Sequence, residues 1–273
     1  MSSEGKPFIK KEKINSVISL FSNGSFDRAL KDLESLTKDY PDDSLLFNIK
    51  GACYAGLGQL DKAVNSYKVA VTINPQYSKA HYNLGGAFHE MGALDDSIQS
   101  YLKSLSIEPD YAEAHNNLGN VYKQQRLLDK AVNSYMSAIS INPDYVEAHY
   151  SAGLVFQDLG QLDSMISHIK KVLTIKPDFV EAHNNLGIAF KRNGQLDDAI
   201  LSYKNALLIQ PNNIEVHNNL GNVYKEKGLI DEAINSYKAA LKINPNLPLL
   251  NINLGNALKE LDLLDGAMAA YEK

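Results

Sequence analysis

The stretch AEAHNNLGNVYKQQRLLDKAVNSYMSAISINPDY, residues 112–145, decides the fold of this chain, because its pattern returns every 34 residues. The most regular marker of the pattern is a proline at the thirty-second place. Seven prolines keep this spacing: Pro41, Pro75, Pro109, Pro143, Pro177, Pro211 and Pro245. A fixed period of this length is typical of repeat proteins, in which each unit is too short to bury its own apolar face and stacks on its neighbours.

The proline spacing predicts an N-terminal tail, residues 1–9, followed by a single solenoid, residues 10–273. The predicted repeats are 10–43, 44–77, 78–111, 112–145, 146–179, 180–213 and 214–247, with a partial repeat 248–273. Repeat 10–43 is divergent, since Val17 replaces the usual glycine and Lys13 and Ser16 interrupt the apolar pattern, so we interpret it as a polar cap. No polar cap is recognisable at the other end, which makes that end a candidate surface for self-association.

Glycine at the eighth place predicts that two helices approach closely. It occurs at Gly51, Gly85, Gly119, Gly153, Gly187, Gly221 and Gly255. A glycine inside a helix costs about 1 kcal/mol relative to alanine, so its recurrence indicates a position with no room for a side chain. We expect the partner to be the small residue of the twentieth place. That residue is Ala29, Ala63, Ala131, Ala199, Ala233 or Ala267.

Aspartate at the eighteenth place predicts the start of a second helix in each repeat. It follows a glycine-containing turn in most repeats, and its carboxylate is suited to capping a helix N-terminus. The aspartates are Asp27, Asp61, Asp95, Asp129, Asp163, Asp197, Asp231 and Asp265. A tyrosine, such as Tyr67 or Tyr101, recurs on the apolar face of this helix, and the proline ends it. Each repeat is therefore predicted to be an antiparallel helical hairpin.

These positions together resemble the tetratricopeptide repeat family. The resemblance rests on small residues at places eight and twenty, aromatic residues at places eleven and twenty-four, and proline at place thirty-two, and it covers residues 10–273. It implies an all-α fold, a right-handed α-solenoid (superhelix) of stacked helix-turn-helix units, and a role as a protein–protein interaction scaffold. At the fourth place the family's tryptophan is replaced by Phe47 and then by histidine. The histidines are His81, His115, His149, His183 and His217.

The second, sixth, ninth and thirteenth places form a polar stripe on one face of the first helix. The resemblance implies that this face is the inner, concave wall. Asparagine recurs there, and a carboxamide can both donate to and accept from the main chain of an extended peptide, whatever its side chains. The alternative is that the asparagines bond to one another across repeats, and both interpretations can hold. The predicted peptide-binding residues are Asn83, Asn117, Asn185, Asn219, Asn253, Asn120, Asn222, Asn256, Asn116, Asn184, Asn218, Lys123, Lys191 and Lys225.

The run NNLGNVYK, at residues 116–123 and 218–225, is most similar to the repeats that precede the catalytic region of O-linked N-acetylglucosamine transferases. This resemblance concerns repeats alone and implies an alternative function, a substrate-recruiting arm of a larger transferase. A self-assembling structural scaffold is a further alternative. The carboxylate clamp of other family members is not expected, because the sixth place never carries arginine and Glu113, Glu147, Glu181 and Glu215 occupy the second place.

Composition favours a binding protein over an enzyme or a nucleic-acid binder. The formal net charge is −5 and no concentrated cationic face is present, so no nucleic-acid partner is expected. The expected partners are extended or disordered segments of other proteins. The single Cys53 excludes an intrachain disulfide, and no apolar signal or membrane segment occurs, so a cytoplasmic location and no membrane partner are expected. We recognise no catalytic constellation, cofactor motif or metal site, since equivalent histidines of stacked repeats lie about 8–10 Å apart, too far for one metal ion.

Overall fold

The computed structural model describes the backbone of residues 5–273 and the side chains of residues 11–273. This part of the chain is all helical and contains no strand. The helices are α1 (Gly5–Ser22), α2 (Phe26–Asp39), α3 (Ser44–Gly56), α4 (Leu60–Ile73), α5 (Ser78–Glu90), α6 (Leu94–Ile107), α7 (Ala112–Gln124), α8 (Leu128–Ile141), α9 (Val146–Asp158), α10 (Leu162–Ile175), α11 (Val180–Arg192), α12 (Leu196–Ile209), α13 (Ile214–Glu226), α14 (Ile230–Ile243), α15 (Pro248–Glu260) and α16 (Leu264–Tyr271). The all-α solenoid of helical hairpins is confirmed.

The first helices from α3 onward begin at the first residue of each predicted repeat, for example at Ser44, Ala112 and Ile214. At the N-terminus, α1 begins at Gly5, so residues 5–9 of the predicted tail are helical, and residues 1–4 lie outside the described part. The backbone forms two compact units, one that ends at Pro143 and one that spans Asp144–Lys273. The single continuous solenoid over residues 10–273 stays a prediction.

Within each unit every helix packs on the next one in sequence, and the first helices of neighbouring hairpins also meet. Helix α5 contacts α3 and α7 in one unit, and α13 contacts α11 and α15 in the other. In the described part of the chain the second helices make no comparable contacts with one another. Since the first helices lie closer together than the second helices, they form the concave face of each unit. We call this the first-helix face.

Six of the seven eighth-place glycines lie against a tyrosine ring and the seventh, Gly153, lies against the side chain of Ile169; none lies against the predicted alanine. A Cβ atom added at Gly221 would lie 2.5 Å from Cε1 of Tyr237, and one added at Gly85 would lie 2.9 Å from Cδ1 of Tyr101. Both tyrosines belong to the second helix of the same hairpin and are buried. The close approach is therefore as predicted, but its partner is the residue of the twenty-fourth place, which is a tyrosine in six of these seven repeats.

The eighteenth-place aspartates are not helix caps, because the second helices begin two residues earlier than a cap at the aspartate requires. Helix α4 begins at Leu60, and the residue before it, Gln59, makes no side-chain cap hydrogen bond. The preceding turn explains the shift: Gly58 has a φ of +70°, and the N–H of Gln59 donates to the carbonyl of Tyr54, which closes α3 and leaves a single residue before α4. Asp61 then lies in the first turn, where its charge complements the helix dipole.

The turns between the helices of a hairpin require a residue with positive φ, and two repeats lack the glycine suited to it. Arg126 has a φ of 61° and Asp262 a φ of 56° at this place. We expect Gly160→Ala to lower the free energy of unfolding by about 1–2 kcal/mol, because positive φ strains an L-residue. Nothing lies within 4 Å of the added methyl group, so strain alone acts. Urea unfolding measures the change, and Arg126→Gly should shift stability in the opposite direction. Equal stability of the Gly160 variant and the parent protein would contradict this account.

Among the described helices none combines the length and apolar character that crossing a membrane requires.

Candidate functional site

The sixth-place asparagines form a ladder of hydrogen bonds along the first-helix face of each unit. Each Nδ2 donates to the fifth-place residue of the preceding repeat. The acceptor is a carboxamide oxygen for Asn83 (to Asn48, 3.0 Å), Asn219 (to Asn184, 3.1 Å) and Asn253 (to Asn218, 2.9 Å), and a phenolic oxygen for Asn117 (to Tyr82, 2.9 Å) and Asn185 (to Tyr150, 2.9 Å). The expectation that asparagines bond across repeats is confirmed.

A carboxylate fixes the direction of the ladder in the second unit. Nδ2 of Asn184 donates to Oε1 of Glu215 at 3.0 Å, and a carboxylate can only accept. The other amide atom of Asn184, its Oδ1, is therefore the one that accepts from Asn219. As a consequence, Asn219 uses its nitrogen inside the fold and has its oxygen left over.

The ninth-place asparagines are bonded inside the fold through their oxygen atoms, whereas the sixth-place asparagines are bonded through their nitrogen atoms. Their Oδ1 atoms accept from the twenty-fourth-place tyrosines of the same hairpins: Tyr135 to Asn120, Tyr237 to Asn222 and Tyr271 to Asn256, each at 2.8 Å. Burial raises the pKa of Tyr237 to about 12, so its hydroxyl stays protonated and can donate at neutral pH. The Nδ2 groups of these asparagines have no partner among the described residues, and their side chains are half-buried or exposed.

The fifth-place asparagines lie deeper than predicted. Asn116 is 5% exposed and Asn184 is 7% exposed, whereas Asn218 is half-buried. Asn116 donates to Oδ1 of Asn117 at 3.4 Å, and its own Oδ1 is buried without a hydrogen-bond partner in the described part of the chain. Asn116 and Asn184 therefore serve the ladder inside the fold and do not widen the polar strip.

The predicted lysines lie at the far end of the first helices, where two of them are paired. Nζ of Lys191 lies 3.4 Å from Oε2 of Glu226, and Nζ of Lys225 lies 3.0 Å from Oε1 of Glu260. Lys123 is half-buried. Because each paired glutamate belongs to the next repeat, these lysines link neighbouring hairpins, and much of their charge is compensated.

The opposite edge of the first-helix face is acidic. The second-place residues Glu113, Glu147, Glu181 and Glu215 are exposed. Glu215 accepts from Asn184 through one oxygen, which orients its carboxylate towards the ladder. The face therefore carries a neutral carboxamide strip bordered by negative charge.

The fourth-place histidines brace the loops between repeats, a role that the sequence analysis missed. In four of them Nε2 donates to the carbonyl of the proline six residues earlier: His81 to Pro75 (3.1 Å), His115 to Pro109, His183 to Pro177 and His217 to Pro211 (2.9 Å each). The constant spacing of six residues was the available signal. No group of three or more possible metal ligands occurs among the described residues.

Repeat 146–179 differs through a pair of histidines. Nδ1 of His149 lies 3.0 Å from Nδ1 of His168, and Phe156 stacks on the ring of His168. The twenty-third place of other repeats holds a serine, as at Ser134 and Ser202. Burial, and to a lesser extent the charge of His149, lowers the pKa of His168 below its ordinary value.

Solved structures with this arrangement of hairpins are found in several proteins. The C-terminal part of a TPR repeat-containing protein from Cytophaga hutchinsonii has a TM-score of 0.76 at 16% identity, with 88% of this chain and 98% of that chain covered. MamA has a TM-score of 0.57 at 28% identity, with 59% and 94% covered. YrrB, described as a TPR protein with an unusual peptide-binding site, has a TM-score of 0.63 at 20% identity, with 73% and 99% covered.

Sequence comparisons agree with the structural ones. The peroxisomal targeting signal receptor of Candida albicans is 32% identical over 65 residues, which are 24% of this chain and 11% of the receptor, so the chain matches about a tenth of that relative's length. Family models described as TPR repeat match residues 51–92, 86–125, 190–228 and 221–262, and models described as tetratricopeptide repeat match residues 112–145, 146–179 and 168–200. Since these matches cover more than half of the chain and recur at the spacing of its hairpins, the chain belongs to the tetratricopeptide repeat family.

Proposed function

We propose that the chain is a protein-interaction scaffold that binds extended segments of partner proteins along its first-helix face. One observation carries the proposal: the amide atoms left over by the fold alternate in kind. In the last two repeats the sixth-place asparagines, Asn219 and Asn253, offer an acceptor, Oδ1, and the ninth-place asparagines three residues later, Asn222 and Asn256, offer a donor, Nδ2. The main chain of an extended peptide also presents N–H and C=O groups in alternation, so the two patterns are complementary.

The hydrogen bonds within the fold prepare these groups for binding. Asn219 is fixed through its nitrogen and Asn222 through its oxygen, so neither side chain has to be ordered when a peptide arrives. Ordering a flexible side chain at an interface costs about 0.5–1.5 kcal/mol, and the internal bonds have already met that cost. The ladder is thus both a structural element and a support for a binding surface.

Two further observations support a peptide ligand. The family to which the chain belongs consists of interaction scaffolds, and one relative is a receptor for a targeting signal. The paired lysines leave the carboxamide strip nearly neutral, which favours main-chain recognition over capture of an acidic tail.

A charge-matched set of variants tests the proposal. In Asn120→Asp, Asn222→Asp and Asn256→Asp combined, each Oδ1 can still accept from its tyrosine, but the outward donor becomes an acceptor. Peptides are selected on the parent protein from a random phage-displayed library. Their affinity for the triple variant should be lower by about tenfold or more, since a hydrogen bond from Nδ2 to a peptide carbonyl is replaced by repulsion between two oxygen atoms. Fluorescence anisotropy of the selected peptides measures the change.

The matched control places the same three charges on the second helices. Asn65, Asn133 and Asn235 occupy the twenty-second place of repeats 44–77, 112–145 and 214–247 as exposed residues, and their change to aspartate should leave binding intact. N-methylation of alternate main-chain nitrogens of the peptide should weaken binding to the parent protein. If the library yields no binding peptide, or if the two triple variants behave alike, the proposal is wrong.

The two alternatives stay predictions. A substrate-recruiting arm of a larger transferase is favoured by the run NNLGNVYK at residues 116–123 and 218–225, and it would use the same first-helix face. A self-assembling scaffold is favoured by exposed apolar residues near the C-terminus, among them Leu264 (57%) and Met268 (62%). Light scattering over a range of concentrations separates self-assembly from peptide binding.

A further inference from the structure

Two repeats close one edge of the first-helix face with a pair of aromatic rings. The ring of Tyr82, at the fifth place, lies 4.8 Å from that of Tyr111, at the thirty-fourth place. In a second repeat Tyr150 and Phe179 form the same pair, with centroids 4.9 Å apart. The space between the fifth and thirty-fourth places is therefore large enough for an aromatic ring.

Repeat 214–247 leaves that space open. Its fifth place holds Asn218 and its thirty-fourth place holds Leu247, so neither ring is present. A largely apolar pocket of about 380 Å³ lies there. It is lined by Ile214, Glu215, Asn218 and the four successive residues 247–250. Leu249, which is 66% exposed, holds the place where the five preceding repeats have glutamate or lysine, and it makes the pocket wall apolar.

We propose that this pocket receives an aromatic side chain of the bound segment, and that a lysine or arginine of the same segment pairs with Glu215. The proposal rests on the proposed function, since the pocket lies on the first-helix face beside the carboxamide strip. The other repeats indicate what fills the pocket. Tyr82 and Tyr150 fill the same space in repeats 78–111 and 146–179, and in repeat 214–247 the ligand supplies the aromatic ring. Asn218 lines the pocket and can donate Nδ2 to the main chain beside the ring, because its Oδ1 accepts from Asn253.

The negative charge of Glu215 favours a ligand with a lysine or arginine near the aromatic residue. Glu215 is the one charged residue that lines the pocket, and its carboxylate is oriented by Asn184, with the second oxygen available. Glu181 and Glu147 continue the acidic edge over the two preceding repeats of the same unit. Side chains two residues apart in an extended chain lie on the same side at about 7 Å, which matches a ring in the pocket and a cation at its rim.

A set of peptides measures both features. The probes are the peptide GSGFSKSGS, its variants with alanine for phenylalanine and with glutamate for lysine, and the parent protein labelled with 15N for NMR titration. We expect the phenylalanine peptide to bind about tenfold more tightly than the alanine peptide, because a buried aromatic ring contributes at least that much. The amide signals of Leu247 and Leu249 should shift. The glutamate peptide should bind more weakly than the lysine peptide.

Protein variants locate the effect. Leu247→Tyr fills the pocket with the ring of the other repeats and should abolish the preference for phenylalanine without lowering the melting temperature. Glu215→Gln should abolish the preference for lysine over glutamate, while Glu181→Gln, at the same place of the preceding repeat, should retain most of it. Equal binding of the phenylalanine and alanine peptides, or a preference that persists in Leu247→Tyr, overturns the proposal.

The outcome separates this pocket from the function on which it rests. If the phenylalanine preference is missing but the aspartate triple variant still loses binding of library peptides, the pocket assignment fails and the peptide-binding face stands. If the triple variant binds library peptides like the parent protein, the peptide-binding face fails.

Discussion

Gly85→Ala is expected to lower the free energy of unfolding by about 1–3 kcal/mol, the usual cost of overpacking a core. The added Cβ would lie 2.9–3.0 Å from three ring atoms of Tyr101, a residue that is 1% exposed. The ring cannot move away without disturbing its own neighbours, among them Tyr82, whose centroid lies 5.8 Å away. Equilibrium unfolding in urea, followed by circular dichroism, measures the loss.

The next residue in the chain is the matched control. Gly86 lies in the same helix, and a Cβ there would meet only the hydroxyl oxygen of Tyr101, at 3.6 Å. Gly86→Ala should therefore raise the free energy of unfolding by up to about 1 kcal/mol, the difference in helix propensity. Changes of the same sign in the two variants would show that the tyrosine ring does not decide the eighth place.

Asn219→Ala is expected to cost about 1–3 kcal/mol of stability, because it leaves a buried acceptor without its donor. The acceptor is Oδ1 of Asn184, a residue that is 7% exposed and whose Nδ2 is already used by Glu215. Water has little access to this oxygen, so the lost hydrogen bond is not replaced. Thermal and urea unfolding of the variant give the free energy directly.

Asn253→Ala removes the same side chain one repeat later and serves as the comparison. Its acceptor is Oδ1 of Asn218, which is half-buried and can bond to water once the donor is gone. We expect a loss below about 1 kcal/mol. Equal losses in the two variants would mean that burial of the acceptor does not set the strength of the ladder.

The hairpins could be predicted from the sequence because the 34-residue period repeats the same local signals many times. Glycine, proline and the aromatic residues recur in register, and the first helices begin where the period places them, as at Ser44 and Ile214. The partner of the eighth-place glycine could not be predicted, since periodicity shows that a position is crowded but not which side chain of the facing helix crosses it. A tyrosine at the twenty-fourth place and an alanine at the twentieth place fit the pattern equally well.

The asparagine positions were predicted, but their division into buried and outward atoms was not. The sequence does not show which atom of a carboxamide is bonded inside the fold, and it is the carboxylate of Glu215, 31 residues beyond Asn184, that leaves the oxygen of Asn219 unused. The pocket beside Leu247 was likewise hidden, because it arises from two rings that the repeat lacks. Such a space is recognisable only when the filled repeats, with Tyr82 and Tyr150, are seen in three dimensions.

The one-way donation of the asparagine ladder makes the solenoid extensible by gene duplication. Asn219 donates to the repeat before it, and Asn218 accepts from the repeat after it. A tandem copy of residues 214–247 would thus bring one new donor and one new acceptor, each of which meets its complement at the two junctions. Repeat 44–77 has Ile49 at the sixth place, and its copy would bring an acceptor with no donor. The chain can therefore grow by whole repeats of the first kind with every donor and acceptor of the ladder paired, and its binding surface can be lengthened in the same steps.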